Sequence, residues 1–111
     1  MSLDNLYNIQ IQHLAVGKDN FFLITGGVAH IGASATAYWN GEELITYLVE
    51  LPHHKEGALA KELVELAAKS LNSSCTVVMG IHIDQASLDV INYIVNYVRV
   101  EMVTTINKIK N

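Results

Sequence analysis

The hydrophobic period of this chain changes at its single proline, Pro52. Before Pro52, apolar and polar residues alternate or run in short blocks. After it, apolar residues recur every three or four positions on either side of one further strand-like run. The first pattern belongs to strands and the second to helices. A chain that switches period in this way reads as a β-rich half followed by a helix-rich half.

The first half divides into four strand segments. In residues 6–16, Tyr7, Ile9, Ile11 and His13 point one way, and Asn8, Gln10 and Gln12 the other. That is a half-buried strand, with His13 at the end of its apolar face. Gly17-Lys-Asp-Asn20 is turn chemistry. Residues 21–25, Phe-Phe-Leu-Ile-Thr, are nearly all apolar, the pattern of a central strand buried on both faces. Residues 33–39 form a third strand that begins on small side chains, where a helix or a flat ligand can pack close. Asn40-Gly41 is the strongest hairpin signal. It leads to a fourth strand, Glu43 to Leu51, which Pro52 ends. Four consecutive strands point to an antiparallel meander.

In the second half, a helix is expected from Lys55 to Leu71. Leu59, Leu63, Leu66 and Ala67 form its apolar stripe, and Lys61, Glu62, Glu65 and Lys69 lie opposite. Asn72-Ser73-Ser74 stops it. Residues 75–83 make a fifth strand, in which Gly80 marks a bulge or a close approach. A long helix is expected from Gln85 to Ile109, with Asp84 as its N-cap. Leu88, Ile91, Val95, Val98, Met102 and Ile109 carry its stripe. The fold expectation is therefore one α+β domain over residues 1–111, in the order ββββαβα. It has an antiparallel sheet of about five strands and two helices, the C-terminal one long.

That last helix bears on assembly. About 25 residues at ~1.5 Å each span nearly 40 Å, whereas a domain of this length has a radius of gyration of ~13 Å. The helix therefore overhangs or packs against a second copy, and a C2 homodimer through it is expected. Charged residues make up only 16% of the chain, below the usual ~25%, which also favours burial between subunits.

Composition narrows the function classes. A net charge of −4, without a Lys/Arg cluster, argues against nucleic acid, because phosphate backbones need a positive face. Cys75 is the only cysteine, so an internal disulfide and a cysteine-based zinc cluster are excluded, and a cytoplasmic protein is the default. The N-terminus lacks the pattern of a signal peptide. No stretch approaches the ~18 apolar residues of a membrane span.

Three polar clusters lie at strand ends or helix starts: Thr25-Gly26-Gly27 with His30 and Gly32; Pro52-His53-His54-Lys55-Glu56; and Gly80-Ile-His82-Ile-Asp84. Each has a plain reading as a tight connection, a strand-end histidine or a helix cap. If the sheet gathers them, three chemistries open. His30, His54, His82 and Asp84 are of the types that ligate zinc or iron, although no HExxH or compact multi-histidine motif is present. His82 and Asp84, two apart on a strand, share a face and suit proton transfer. No nucleophile stands in a recognisable setting, however, and Gly-x-Ser-x-Gly is absent. The third chemistry is phosphate binding. Backbone N–H groups of Thr25, Gly26 and Gly27 can hold an anion, helix starts at Gly57 and Gln85 add positive dipole ends, and His30 and Lys55 neutralise charge. Ala33, Ser34 and Ala35 leave room for a flat ring. This fits a phosphorylated aromatic cofactor, yet matches neither the P-loop nor the dinucleotide fingerprint.

Taken in order, Thr25-Gly-Gly-x-x-His30-Ile-Gly-Ala33, Leu51-Pro-x-His54-Lys-Glu56 and Gly80-Ile-His-Ile-Asp84 resemble the prenylated flavin chaperone-like family. This family includes the small D subunit of gallate decarboxylase, and its domain is described as similar to proteasome assembly chaperones. The resemblance runs from about Gly17 into the C-terminal helix. It implies a small α+β protein that is not itself a decarboxylase. Such a protein would hold or deliver prenylated FMN, or FMN, for a partner decarboxylase. On this reading Thr25, Gly26, Gly27, His30, Gly32, His54, Lys55, His82 and Asp84 form the pocket or partner surface. One position departs from the pattern: His53 follows Pro52 where a glycine is expected. Two other readings stand beside this one. The chain is an assembly module that binds another protein and no small molecule, or it is a small metal-dependent enzyme.

Overall fold

In the computed structural model, residues 5–53 and 55–111 are described. The elements are β1 (Gln10–Val16), β2 (Asp19–Gly27), β3 (Ala33–Asn40), β4 (Glu43–Glu50), α1 (Gly57–Leu71), β5 (Cys75–His82) and α2 (Leu88–Lys110). Their order is the expected ββββαβα. The fold is an α+β domain with one five-stranded sheet, antiparallel at every pairing except β2–β5.

The meander does not form. Strand order across the sheet is β1-β2-β5-β3-β4, so β5 is inserted between β2 and β3. The reason lies in the connection after β4. Helix α1 crosses over β3 and returns the chain as a strand parallel to β4, the usual result of a strand–helix–strand connection. Strand β5, with Cys75, Val77 and Met79 almost wholly buried, takes the centre, where both of its edges are paired.

Both helices lie on one face of the sheet. Burial along β2 consequently alternates: Phe22 and Ile24 are fully buried, while Phe21, Leu23 and Thr25 are only partly covered. Strand β2 is thus central yet covered on one side, which corrects the expectation of burial on both faces. Ala33, Ala35 and Ala37 of β3 are buried beneath α1. Their small side chains admit a helix and leave no room there for a flat ring. Trp39 Nε1 donates to the Ala68 carbonyl at 3.3 Å and Thr46 Oγ1 to Glu65 at 2.7 Å, tying β3 and β4 to α1.

The uncovered face is defined by the registers. One row across the strands is Gln12, Leu23, Val78, Ser34 and Val49; the next is Leu14, Phe21, Thr76, Thr36 and Tyr47. Neither row contains a charge.

Element ends differ from expectation where local chemistry decides. Strand β1 starts at Gln10, not near Leu6, because Asn8 has a φ of 53° and Asn5 closes a turn onto both backbone groups of Ile9. Helix α1 starts at Gly57, whose N–H donates to Glu50 Oε2 at 2.7 Å. Asn72, at a left-handed φ of 49°, ends it by donating its N–H to the Ala68 carbonyl. Asp84 does not cap α2. Gln85 takes a φ of 55°, which is incompatible with a helix start, and Ser87 is the cap, accepting from Val90 N–H at 3.2 Å.

Helix α2 buries Ile94, Tyr97, Val98, Met102 and Ile106. Its Arg99 makes a two-pronged ion pair with Glu62 of α1, both contacts 2.8 Å. The domain measures 43 × 36 × 20 Å. An α2 of 23 residues, at ~1.5 Å each, fits within the longest dimension. The domain is a flat two-layer slab rather than a sphere. Among the described residues no helix is long and apolar enough to cross a membrane.

Candidate functional site

The parallel pairing of β2 with β5 brings the ends of both strands to one edge of the slab, beside the start of α1. Gly26 and Gly27 end β2, opposite Ile81 and His82. Residues 28–32 then cross over β5. A Cβ at Gly80 would overlap the carbonyl oxygen of His30, so this crossing requires glycine at residue 80. Gly32, whose N–H donates to the Met79 carbonyl at 2.9 Å, leaves space for the Glu56 carboxylate. Gly27 has a φ of 58°, and a Cβ there would meet the His82 carbonyl.

Two histidine–carboxylate pairs result. The ring of His30 is anchored by Nδ1 against the Val28 carbonyl at 3.2 Å, and its Nε2 lies 3.6 Å from Glu56 Oε1. This pair is largely buried. Glu56 Oε2 is fully shielded from solvent and has no hydrogen-bond partner among the described residues. The second pair is His82 Nε2 with Asp84 Oδ1 at 2.8 Å, with side chains 52% and 86% exposed. The two imidazoles meet edge to face, centroids 6.1 Å apart.

Behind these pairs lies a cavity of about 250 Å³ between α1, β5 and α2. Its wall is mostly apolar, from Leu59, Met79, Ile81, Ile91 and Ile94, while Lys55, Glu56 and His82 supply the polar edge. An apolar cavity with a few convergent polar groups is the usual form of a small-molecule site. A larger hollow of about 440 Å³ runs along the outer surface of α1 past Lys61, Glu62, Glu65 and Lys69. It is the solvated charged face of that helix and adjoins none of the histidines.

The expected site residues therefore separate. His30, His82 and Asp84 come together, Lys55 joins them at the cavity, and Gly26, Gly27 and Gly32 shape the backbone around them. Thr25 pairs with Gln10 on the uncovered sheet face. His54 lies outside the described residues. The amides expected to hold an anion are engaged: Gly27 N–H donates to the Tyr7 carbonyl at 2.8 Å and Val28 N–H to the His82 carbonyl at 3.0 Å. The start of α1 faces the Glu50 carboxylate, which opposes a phosphate there. Among the described residues no group of three or more His, Cys, Asp or Glu is arranged to hold a metal ion. Cys75 is buried, and that burial raises its thiol above the usual range, partly offset by Ser73. It is thus poorly suited to act as a nucleophile.

Glu56 and the apolar wall lie outside the set expected from sequence. The available signals were the carboxylate next to Lys55 and the isoleucines on either side of His82.

A family model described as the prenylated flavin chaperone LpdD-like domain matches residues 4–110. The match covers nearly the whole chain, and the chain belongs to this family. No curated protein matches it.

Proposed function

We propose that this member of the prenylated flavin chaperone LpdD-like family holds a prenylated FMN-type cofactor in the cavity between α1, β5 and α2. It then passes the cofactor to a partner decarboxylase without carrying out the decarboxylation. The observation that carries this reading is the apolar cavity edged by Lys55, Glu56 and His82.

The residues present fit the group. Leu59, Ile81, Ile91 and Ile94 offer apolar surface to a prenylated ring system, whose burial is favourable at roughly 25 cal/mol per Å². Lys55 is the cation at the cavity edge that suits a phosphate. With a volume of about 250 Å³, the cavity falls just below the ~300–1,000 Å³ of sites that enclose a whole drug-sized ligand. It therefore takes part of the flavin and leaves the rest outside, where a partner can reach it. When bound, the flavin supplies an electron-accepting ring for the partner's reaction. This chain's residues bind and shield it, and the exposed His82–Asp84 pair stands where the partner would approach.

The test is titration of the full chain with prenylated FMN and FMN, monitored by flavin fluorescence, for wild type, His30→Ala and Ile91→Asp. Ile91 is 46% exposed, so its replacement leaves the core intact. Saturable binding, weakened at least tenfold by Ile91→Asp (about 1.4 kcal/mol), supports the reading. A folded protein that binds neither flavin overturns it in favour of an assembly module without a ligand.

A further inference from the structure

We infer that the uncovered face of the sheet is the surface on which a second copy of this chain docks, sheet against sheet, in a C2 dimer. The surface is distinct from α2, where the sequence pattern placed the homodimer, and the inference does not depend on flavin binding.

A sheet covered by helices on one side normally turns polar residues to solvent on the other. This sheet presents Leu14, Phe21, Leu23, Val78, Tyr47 and Val49 instead. Leu14 is 61%, Tyr47 66% and Val49 56% exposed. The Tyr47 ring is stacked on Tyr38, with planes 10° apart, so part of the face is already ordered. Near its centre Thr36 Oγ1 and Thr76 Oγ1 share one hydrogen bond across β3–β5 at 2.8 Å.

Charge and area select a second copy as the occupant. An isologous interface sets a surface against itself, so a charge at its centre would meet its own sign. The two central rows carry none. On this face Asp19 sits at the start of β2, with Oδ1 taken by Ser74 N–H at 3.1 Å, and Glu43 sits at the start of β4. A chain of net charge −4 thus keeps its charge off the middle of this face. Five strands ~4.8 Å apart and seven residues long at ~3.3 Å each cover roughly 550 Å² per copy before side-chain relief. Two copies bury about 1,100 Å² or more, above the ~1,000 Å² of a specific interface. The slab is only 20 Å thick, and stacking two sheets ~10 Å apart gives a four-layer sandwich with the helices outside. Both cavities lie on the helix side, so they stay open in the dimer.

By contrast, the outer face of α2 mixes its exposed Val100 and Val103 with Asn96, Arg99 and Asn107, and its main apolar stripe is already buried within the chain.

The experiment is sedimentation equilibrium of the full chain at about 100 µM, well above a micromolar Kd for an interface of this size. It compares wild type with Tyr47→Asp, Leu14→Asp and, on α2, Val103→Asp. All three sites are exposed in the single chain, and circular dichroism confirms folding. The expected result is twice the 12.2 kDa chain mass for wild type and Val103→Asp, with at least a tenfold weaker dimer for both sheet variants. A monomeric wild type overturns the inference and leaves the face to a different protein. A dimer broken by Val103→Asp but by neither sheet variant overturns it in favour of α2.

Discussion

Gly80 and His30 touch backbone to backbone, and a Cβ at residue 80 would overlap the His30 carbonyl oxygen. This contact is the physical basis of the site. It lets residues 28–32 lie across β5 and hold His30 3.6 Å from Glu56. Gly80→Ala is therefore expected to lower stability by about 1–3 kcal/mol, the usual cost of forcing a methyl into a packed position. Gly41→Asn is the control: Gly41 has a φ of 66° with nothing within 4 Å, and asparagine tolerates that conformation. Urea unfolding monitored by Trp39 fluorescence measures both, and equal losses would refute this assignment.

Glu50 reaches from β4 to the first amide of α1, where Glu56 makes no side-chain cap. Glu50→Ala is expected to cost about 1 kcal/mol, the usual loss when a helix start loses its acceptor. Glu50→Gln keeps an oxygen acceptor but not the charge that favours a helix N-terminus, and should fall between the two. An unchanged urea midpoint for Glu50→Ala would show the contact to be without weight.

Burial raises the Cys75 thiol pKa in the folded chain, so in the native state the proton is kept to higher pH than in the unfolded chain. The unfolded state then binds fewer protons once the pH passes the ordinary thiol value of ~8.5. By linkage, this contribution to stability is complete below that value and is lost as pH rises towards the folded pKa. Wild type should therefore lose more stability than Cys75→Ala on moving from neutral to alkaline pH. Parallel pH profiles would exclude the effect.

Lys55 is the cation at the edge of the apolar cavity. If it faces the phosphate of a bound flavin, Lys55→Glu should weaken FMN roughly fivefold, since an exposed ionic contact is worth up to about 1 kcal/mol, and leave riboflavin unaffected. The difference should shrink in high salt as the screening length shortens. Equal losses for FMN and riboflavin would place the phosphate elsewhere.

The features that could be read from sequence depend on neighbours a few residues apart. Strand and helix periods, the Asn40-Gly41 hairpin and the contact of His82 with Asp84, two residues on, are local. They were legible for that reason, and the joint occurrence of three short motifs was enough to point to the family. Caps were less so: Asp84 and Ser87 are both competent, and only the left-handed backbone at Gln85 chooses between them. Tertiary structure alone decided the rest. The insertion of β5 beside β2 depends on how α1 packs over β3, and no local pattern encodes that distance. The same pairing carries His30 to Glu56, 26 positions away in sequence, and closes the apolar cavity behind them. It also spends the glycine-loop amides that sequence reserved for an anion. Finally, placing both helices on one side of a flat sheet leaves the other side bare, a consequence of layer packing rather than of any single strand.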